Sequence, residues 1–176
     1  MTTYTVSSGQ TSSGIVMSSG DVMNISSGGS AVNITDSGGT INDSGFLISG
    51  FVLEGSNGSF GSATIFSGGL AISAVVSAFG EEIVASGGLA FSTVVSSGGE
   101  EIVSSGGLAI FTRVFSGGEE IVSSSGFASG TVISAGGYDG VGLGGVASGT
   151  VISAGGFEIV SSGGVAIDTD VVGGAE

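Results

Sequence analysis

Cysteine, proline, histidine, tryptophan and lysine are all absent from this chain of 176 residues, and Arg113 is its single basic side chain. Each absence removes a class of chemistry. Without cysteine there are no disulfides and no thiolate metal sites. Without His, Cys or Lys there is no common general base or activated nucleophile, and a serine lacking such a partner is a weak nucleophile, so the chain is read as a non-enzyme. One cation against fifteen acidic residues leaves a formal net charge of −14. Binding to nucleic acid or to an anionic bilayer needs cations and is therefore not expected. No apolar run reaches the length of a membrane helix, and the opening MTTYTV lacks the basic and apolar regions of a secretory signal, so an export address is expected elsewhere.

What is present is glycine, 38 residues of it, with Ser and Thr in most of the other polar positions. Gly/Ser-rich chains are often flexible linkers. Here, however, 40% of residues are hydrophobic and mean hydropathy is +0.62, too apolar for a chain with nothing to bury. The apolar residues are mainly Val, Ile, Ala and Phe, and the β-branched ones favour strands.

The stretch SGGLAFSTVVSSGGEEIVSSGG, residues 86–107, steps from one Gly-Gly pair to the next by eleven residues and then by eight. The whole second half repeats at 19 residues. Leu70, Leu89, Leu108, Phe127, Val146 and Val165 share a column, followed by Ala71, Ala90, Ala109, Ala128, Ala147 and Ala166. Val76, Val95, Val114, Ile133, Ile152 and Val171 form another, and Val84, Val103, Val122, Val141 and Val160 a fourth. The column of Val94 also admits Arg113 and Asp170, so it is expected to face water while that of Val95 points inward.

Each repeat thus holds a longer segment (LAFSTVV) and a shorter one (EEIV), closed by Ser/Gly corners. The pattern predicts an all-β fold, a β-solenoid (β-helix) of 19-residue coils with two unequal strands per coil. A coil this small cannot bury its apolar face alone, but stacking on copies of itself makes a continuous core. A narrow core accounts for the alanine column, whose interior neighbours are expected to be Leu, Ile or Phe. An antiparallel sandwich would have no reason to keep one period. Nine coils at an inter-strand spacing of about 4.8 Å make a rod about 40 Å long. We expect a single domain over 1–176, with irregular coils over 1–61 and regular ones over 62–176. Neither MTTYTVSSGQ nor DVVGGAE reads as a strong cap, and a blunt end is an unpaired sheet edge.

The acidic residues repeat with the coils. Glu82, Glu101, Glu120, Asp139 and Glu158 form one column, with Glu81, Glu100 and Glu119 beside it. A catalytic pair would be expected once, so repetition favours a solvated face whose repulsion is relieved by splayed side chains and salt. The sharper reading is that Ca²⁺ relieves it, with Glu82, Glu101, Glu120, Asp139 and Glu158 as the candidate ligands; no other cofactor is expected. GGYDGVGLGG, residues 136–145, has a slight likeness to a calcium-binding nonapeptide but reads better as a divergent half-repeat. Thr93, Thr112, Thr131, Thr150 and Thr169 form a further column, taken as strand-favouring threonines in preference to an ice-binding array.

Runs such as SSGGLAFSTVVSSGGEEIVSSGG and SGTVISAGGFEIVSSGGVA resemble the 19-residue repeats of AIDA-type autotransporter passengers, the strand-loop-strand adhesins of Gram-negative bacteria. The resemblance is specific over residues 67–164. It implies a secreted or surface-displayed bacterial β-helix that mediates adhesion, autoaggregation and biofilm formation, with Ser or Thr residues open to glycosylation. Partners on this reading are host or neighbouring-cell surfaces, glycans, or further copies of the chain. The alternative is a self-assembling filament or matrix subunit, a homo-oligomer stacking end to end through residues 1–20 and 160–176. A carbohydrate-active β-helix would need one unique acidic cleft, which the repeat does not provide.

Overall fold

A computed structural model describes residues 1–55 and 58–173. The chain winds through nine coils, each contributing one strand to each of three nine-stranded parallel sheets, here faces A, B and C. In coil 5 these are Glu81–Val84, Leu89–Phe91 and Val94–Val95. The fold is a β-solenoid with three strands per coil, not two. The longer segment breaks because Ser92 takes a positive φ of 59° and the chain turns before Val94. Turning there lets Ala90, Thr93 and Val95 all point inward, which one straight strand of period two cannot do.

Neighbouring coils pair residue on residue. Leu89 pairs Leu108, Glu100 pairs Glu119, and Val95 pairs Val114. The step is 19 residues from coil 4 to coil 9. Before that it varies: on face A, Val22 pairs Thr40 and Thr40 pairs Ser62, steps of 18 and 22 residues. Residues 40–53 therefore supply a coil that pairs on both sides, and the extra length falls in the connection before Ser62.

The corners need glycine for two distinct reasons. Gly106 has φ 82° beside Ser105 at 54°, so both central residues of the turn closed by Gly107 N–H donating to the Ser104 carbonyl lie in the left-handed region. Gly107 has no such φ. A Cβ there would press into the Val84 carbonyl of the coil below.

The inside is narrow. Ala71, Ala90, Ala109, Ala128 and Ala147 are buried, as are Val84, Val103, Val122 and Val141. Val95 is buried while Val94 is half-exposed. The leucines next to the alanines are not interior neighbours: Leu70, Leu89 and Leu108 lie half-buried on the outside of face B, and Phe127 is exposed, because adjacent strand residues point to opposite sides.

The ends differ. In coil 1 the inward Val6 and Met17 are 1% and 0% exposed. The stretch MTTYTV also ties itself down: Thr2 N–H donates to Asp21 Oδ1 at 2.5 Å, and the Met1 ammonium lies 3.8 Å from the same oxygen. In coil 9 the corresponding Val160 and Val171 are 45% and 61% exposed. Residues 174–176, the last of DVVGGAE, lie outside the described residues.

Candidate functional site

Face A carries the acidic repeat. Strand alternation sends Glu81, Glu100 and Glu119 outward and Glu82, Glu101, Glu120 and Asp139 inward. The inward four are 0% exposed, which overturns the expectation of a solvated face for that column; Glu158, in the last coil, is half-exposed. The physical reason is parity. Val84 and Val103 must be inside, and a residue two positions earlier on the same strand shares their side. That signal was available in the alternation of EEIV.

Opposite them, at the corner between faces B and C, stand the threonines. Thr93, Thr112, Thr131 and Thr150 are each 1% exposed, so they are neither an exposed array nor strand residues; only Thr169 in coil 9 is open. Their pairing with the acids is the feature that sequence reasoning missed. Thr93 Oγ1 donates to Glu82 Oε2, Thr112 Oγ1 to Glu101 Oε2, and Thr169 Oγ1 to Glu158 Oε2, each at 2.8 Å. The constant separation of eleven residues was visible in the sequence. That the threonine column also turned inward was not, because the corner at Ser92 breaks the strand's parity.

The second oxygens of Glu82 and Glu101, both carboxyl oxygens of Glu120 and Asp139, and the Thr131 and Thr150 hydroxyls have no hydrogen-bond partner among the described residues. Burial pushes every one of these carboxyls up, to about 7 at Glu82, about 8 at Glu101 and Glu120, and about 9 at Asp139. Acidic neighbours add to the rise and threonine hydroxyls oppose it at the three glutamates. Outside, burial together with repulsion from Glu81 and Glu119 raises Glu100. Two further inward acids, Asp36 and Asp43, are raised by burial to about 6, although each accepts a backbone N–H, from Gly39 at 2.6 Å and Gly45 at 2.8 Å.

Among the described residues no three acidic groups converge as a metal site requires. The five calcium candidates are stacked in single file, one per coil, which is a different arrangement from a coordination shell. In GGYDGVGLGG, Tyr138–Val141 is a face A strand in register with Glu119–Val122, so this stretch is a half-repeat with Asp139 inside.

The outer surface is aromatic. Of ten phenylalanines nine are exposed, Phe51 alone being buried. Phe60 and Phe79 meet edge to face with centroids 6.3 Å apart, as do Phe91 and Phe111 at 5.6 Å. Phe79 and Phe111 hold positive φ of 67° and 61°, a conformation that bulky side chains rarely adopt. At the Phe111 corner the other coils place small or polar residues: Ser73 and Ser92, Asn33 and Asp168, or a glycine such as Gly130. Beside Phe111 runs a groove of about 570 Å³ floored by Val75, Val94 and Val132 and edged by Arg113, which has no ion-pair partner among the described residues.

Comparison with known proteins places these coils. Residues 86–137 match the family described as AIDA, adhesin of bacterial autotransporter system, probable stalk. That segment, under a third of the chain, is similar to the AIDA-type passenger repeat. A crystal structure of a TibC-catalysed, hyper-glycosylated TibA fragment is 25% identical, with 98% of this chain and 90% of that one covered and a TM-score of 0.43. No curated protein matches the chain.

Proposed function

We propose that the chain is a non-enzymatic, surface-displayed bacterial adhesin module whose outer face mediates adhesion, autoaggregation and biofilm formation through many weak contacts made in parallel. The observation that carries this reading is the outward display of aromatics on a repeat of the adhesin stalk type. Large apolar side chains are normally spent on a core. Here nine of the ten rings stand outside a narrow core, two of them at corners that strain the backbone. Strain at exposed positions persists where the side chain is used. Phenylalanine, with tyrosine and tryptophan, is enriched at protein interfaces relative to the rest of the surface.

The test replaces rings by what other coils already carry. Phe111→Ser copies Ser73 and Ser92, and Phe79→Ser removes the second strained ring. Coated on beads or displayed on non-adhering cells, the double variant is expected to keep its melting temperature within a few degrees and to lose severalfold in adhesion and clumping. Undiminished adhesion by the double variant would remove the reading's support.

A second reading rests on a different observation. The inward valines of coil 9 are uncovered, the surface on which a following coil packs. A filament or matrix subunit would use it. Negative-stain images of the purified chain separate the two: uniform long filaments favour end-to-end stacking, and isolated rods about 40 Å long favour lateral adhesion.

A further inference from the structure

The file of acids facing threonines occupies only part of the rod, although Asp36 and Asp43 are also buried in coils 2 and 3. In coils 2 to 4 the places later taken by inward acids are held by Met23, Ile41 and Ala63, and those later taken by threonine by Ile34, Phe51 and Ala74. All six are at most 1% exposed and belong to one continuous apolar cluster. From coil 5 onward the acids face the threonines, and the apolar core splits in two. Val84, Val103 and Val122 pack with their alanines on one side, and Val114, Ile133 and Ile152 pack on the other. The spine of carboxyls and hydroxyls runs between them.

A buried carboxylate needs a counter-charge or a proton. The groups facing Glu82 are Asp43, Glu101 and Thr93. Those facing Glu101 are Glu82, Thr93 and Thr112, with Asp139 beyond. Glu120 meets Glu101, Thr112, Thr131 and Glu158, and Asp139 meets Glu120 and Glu158. Every one is an acid or a hydroxyl. The sole basic side chain, Arg113, stands outside on face C. A proton fits where no cation does. Thr93 lies between Glu82 and Glu101, and Thr112 between Glu101 and Glu120. In coils 5 and 6 the threonine O–H donates to the acid of its own coil, leaving its oxygen free to accept the O–H of a protonated acid in the next coil.

We propose that this spine is a proton-dependent lock on the C-terminal half of the rod: protonated, its carboxyls bridge threonines of successive coils and hold coils 5 to 8 closed; ionised, they drive those coils apart while coils 2 to 4 stay folded. The direction follows from linkage. Burial raises these carboxyls above their ordinary value, so between that value and the raised one the folded chain holds more protons than the unfolded chain. Stability is then full below about pH 4.5 and is lost as pH rises to between about 7 and about 9. Asp36 and Asp43 contribute in the same direction at lower pH, completed near 6.

The experiment is amide hydrogen exchange on the full chain at pH 6 and pH 9, with times scaled for intrinsic exchange; both lie clear of the pI of about 4.1. At pH 9 the strands from Glu81 to Val141 are expected to lose at least tenfold in protection, with Val22–Ile25 and Ser30–Val32 largely retained. Glu101→Gln and Glu120→Gln remove titration without removing the hydrogen-bonding side chain and should flatten the difference. The pair Glu101→Met and Thr112→Ile copies Met23 and Ile34 and should do the same in coil 6. Equal protection at the two pH values overturns the proposal, as does uniform loss along the rod or an unchanged pH response in the Gln variants. Full protection restored at pH 9 by Ca²⁺ at constant ionic strength also overturns it, since a cation would then be the counter-charge.

Discussion

Gly106 and Gly107 are neighbours in sequence and would fail differently. Gly106 has nothing within 4 Å of where a Cβ would stand, so alanine there meets only the cost of positive φ, about 1–2 kcal/mol. Asparagine, which Asn33 shows to be at home at φ 53°, should cost less. Gly107→Ala drives a methyl into the backbone of the coil below, which cannot move without disturbing the Val84 pairing; its expected cost is about 1–3 kcal/mol or more. Urea melts of the three variants should rank Gly106→Asn mildest and Gly107→Ala worst. Reversal of the two alanine variants would mean that φ, not the close approach, sets the corner. The same scale shows what sequence alone conveys: a Gly-Gly pair marks a corner, but which glycine is needed for which reason depends on the neighbouring coil.

The coil is the natural element of this molecule, because the columns repeat only when a whole coil is counted. Removing residues 89–107 joins Gly88 to Leu108 and returns every column to itself, since Leu89 and Leu108 are register partners. That deletion is expected to leave a cooperative β-sheet melt with a transition within several degrees of the parent. Removing 89–106 instead leaves one extra glycine at the tight corner before Leu108; the 18- and 22-residue steps on face A keep their columns because connections absorb the difference, so the corner is expected to bulge and the transition to fall below that of the 19-residue deletion. Circular dichroism of the two deletions decides it, and equal behaviour would contradict a tight corner. At this scale the period was legible and the strand count was not. LAFSTVV reads as one segment because its residues all suit a strand; the corner at Ser92 comes from closing a triangular perimeter around a narrow core.

For the whole molecule, charge dominates. The outward acids repel one another at distances within the Debye length, and a single arginine offsets little of that repulsion. Raising NaCl from about 20 mM to about 300 mM cuts that length from roughly 20 Å to roughly 6 Å, and at pH 7 should raise the melting temperature by a few degrees. A flat or falling response would mean that the outward ladder of Glu81, Glu100 and Glu119 is already neutralised. The screening acts on outside acids far more than on the inside spine, where salt does not reach, so the salt response and the pH response should be separable.

The sequence by itself determined the solenoid: a 19-residue period with an invariant alanine column and paired glycines admits little else, since only stacked identical coils give each column one environment. It also determined the absence of disulfides and of the usual nucleophile chemistry, because those are matters of which atoms exist. Only the tertiary structure decided which groups the inward acids meet. Two adjacent columns of glutamate look alike in sequence, and charge argues that both belong in water; strand parity, set by the valines that must be buried, turns one of them inward against that preference. The threonines eleven residues on became partners because closing the perimeter at Ser92 brings the opposite corner across the core to meet them.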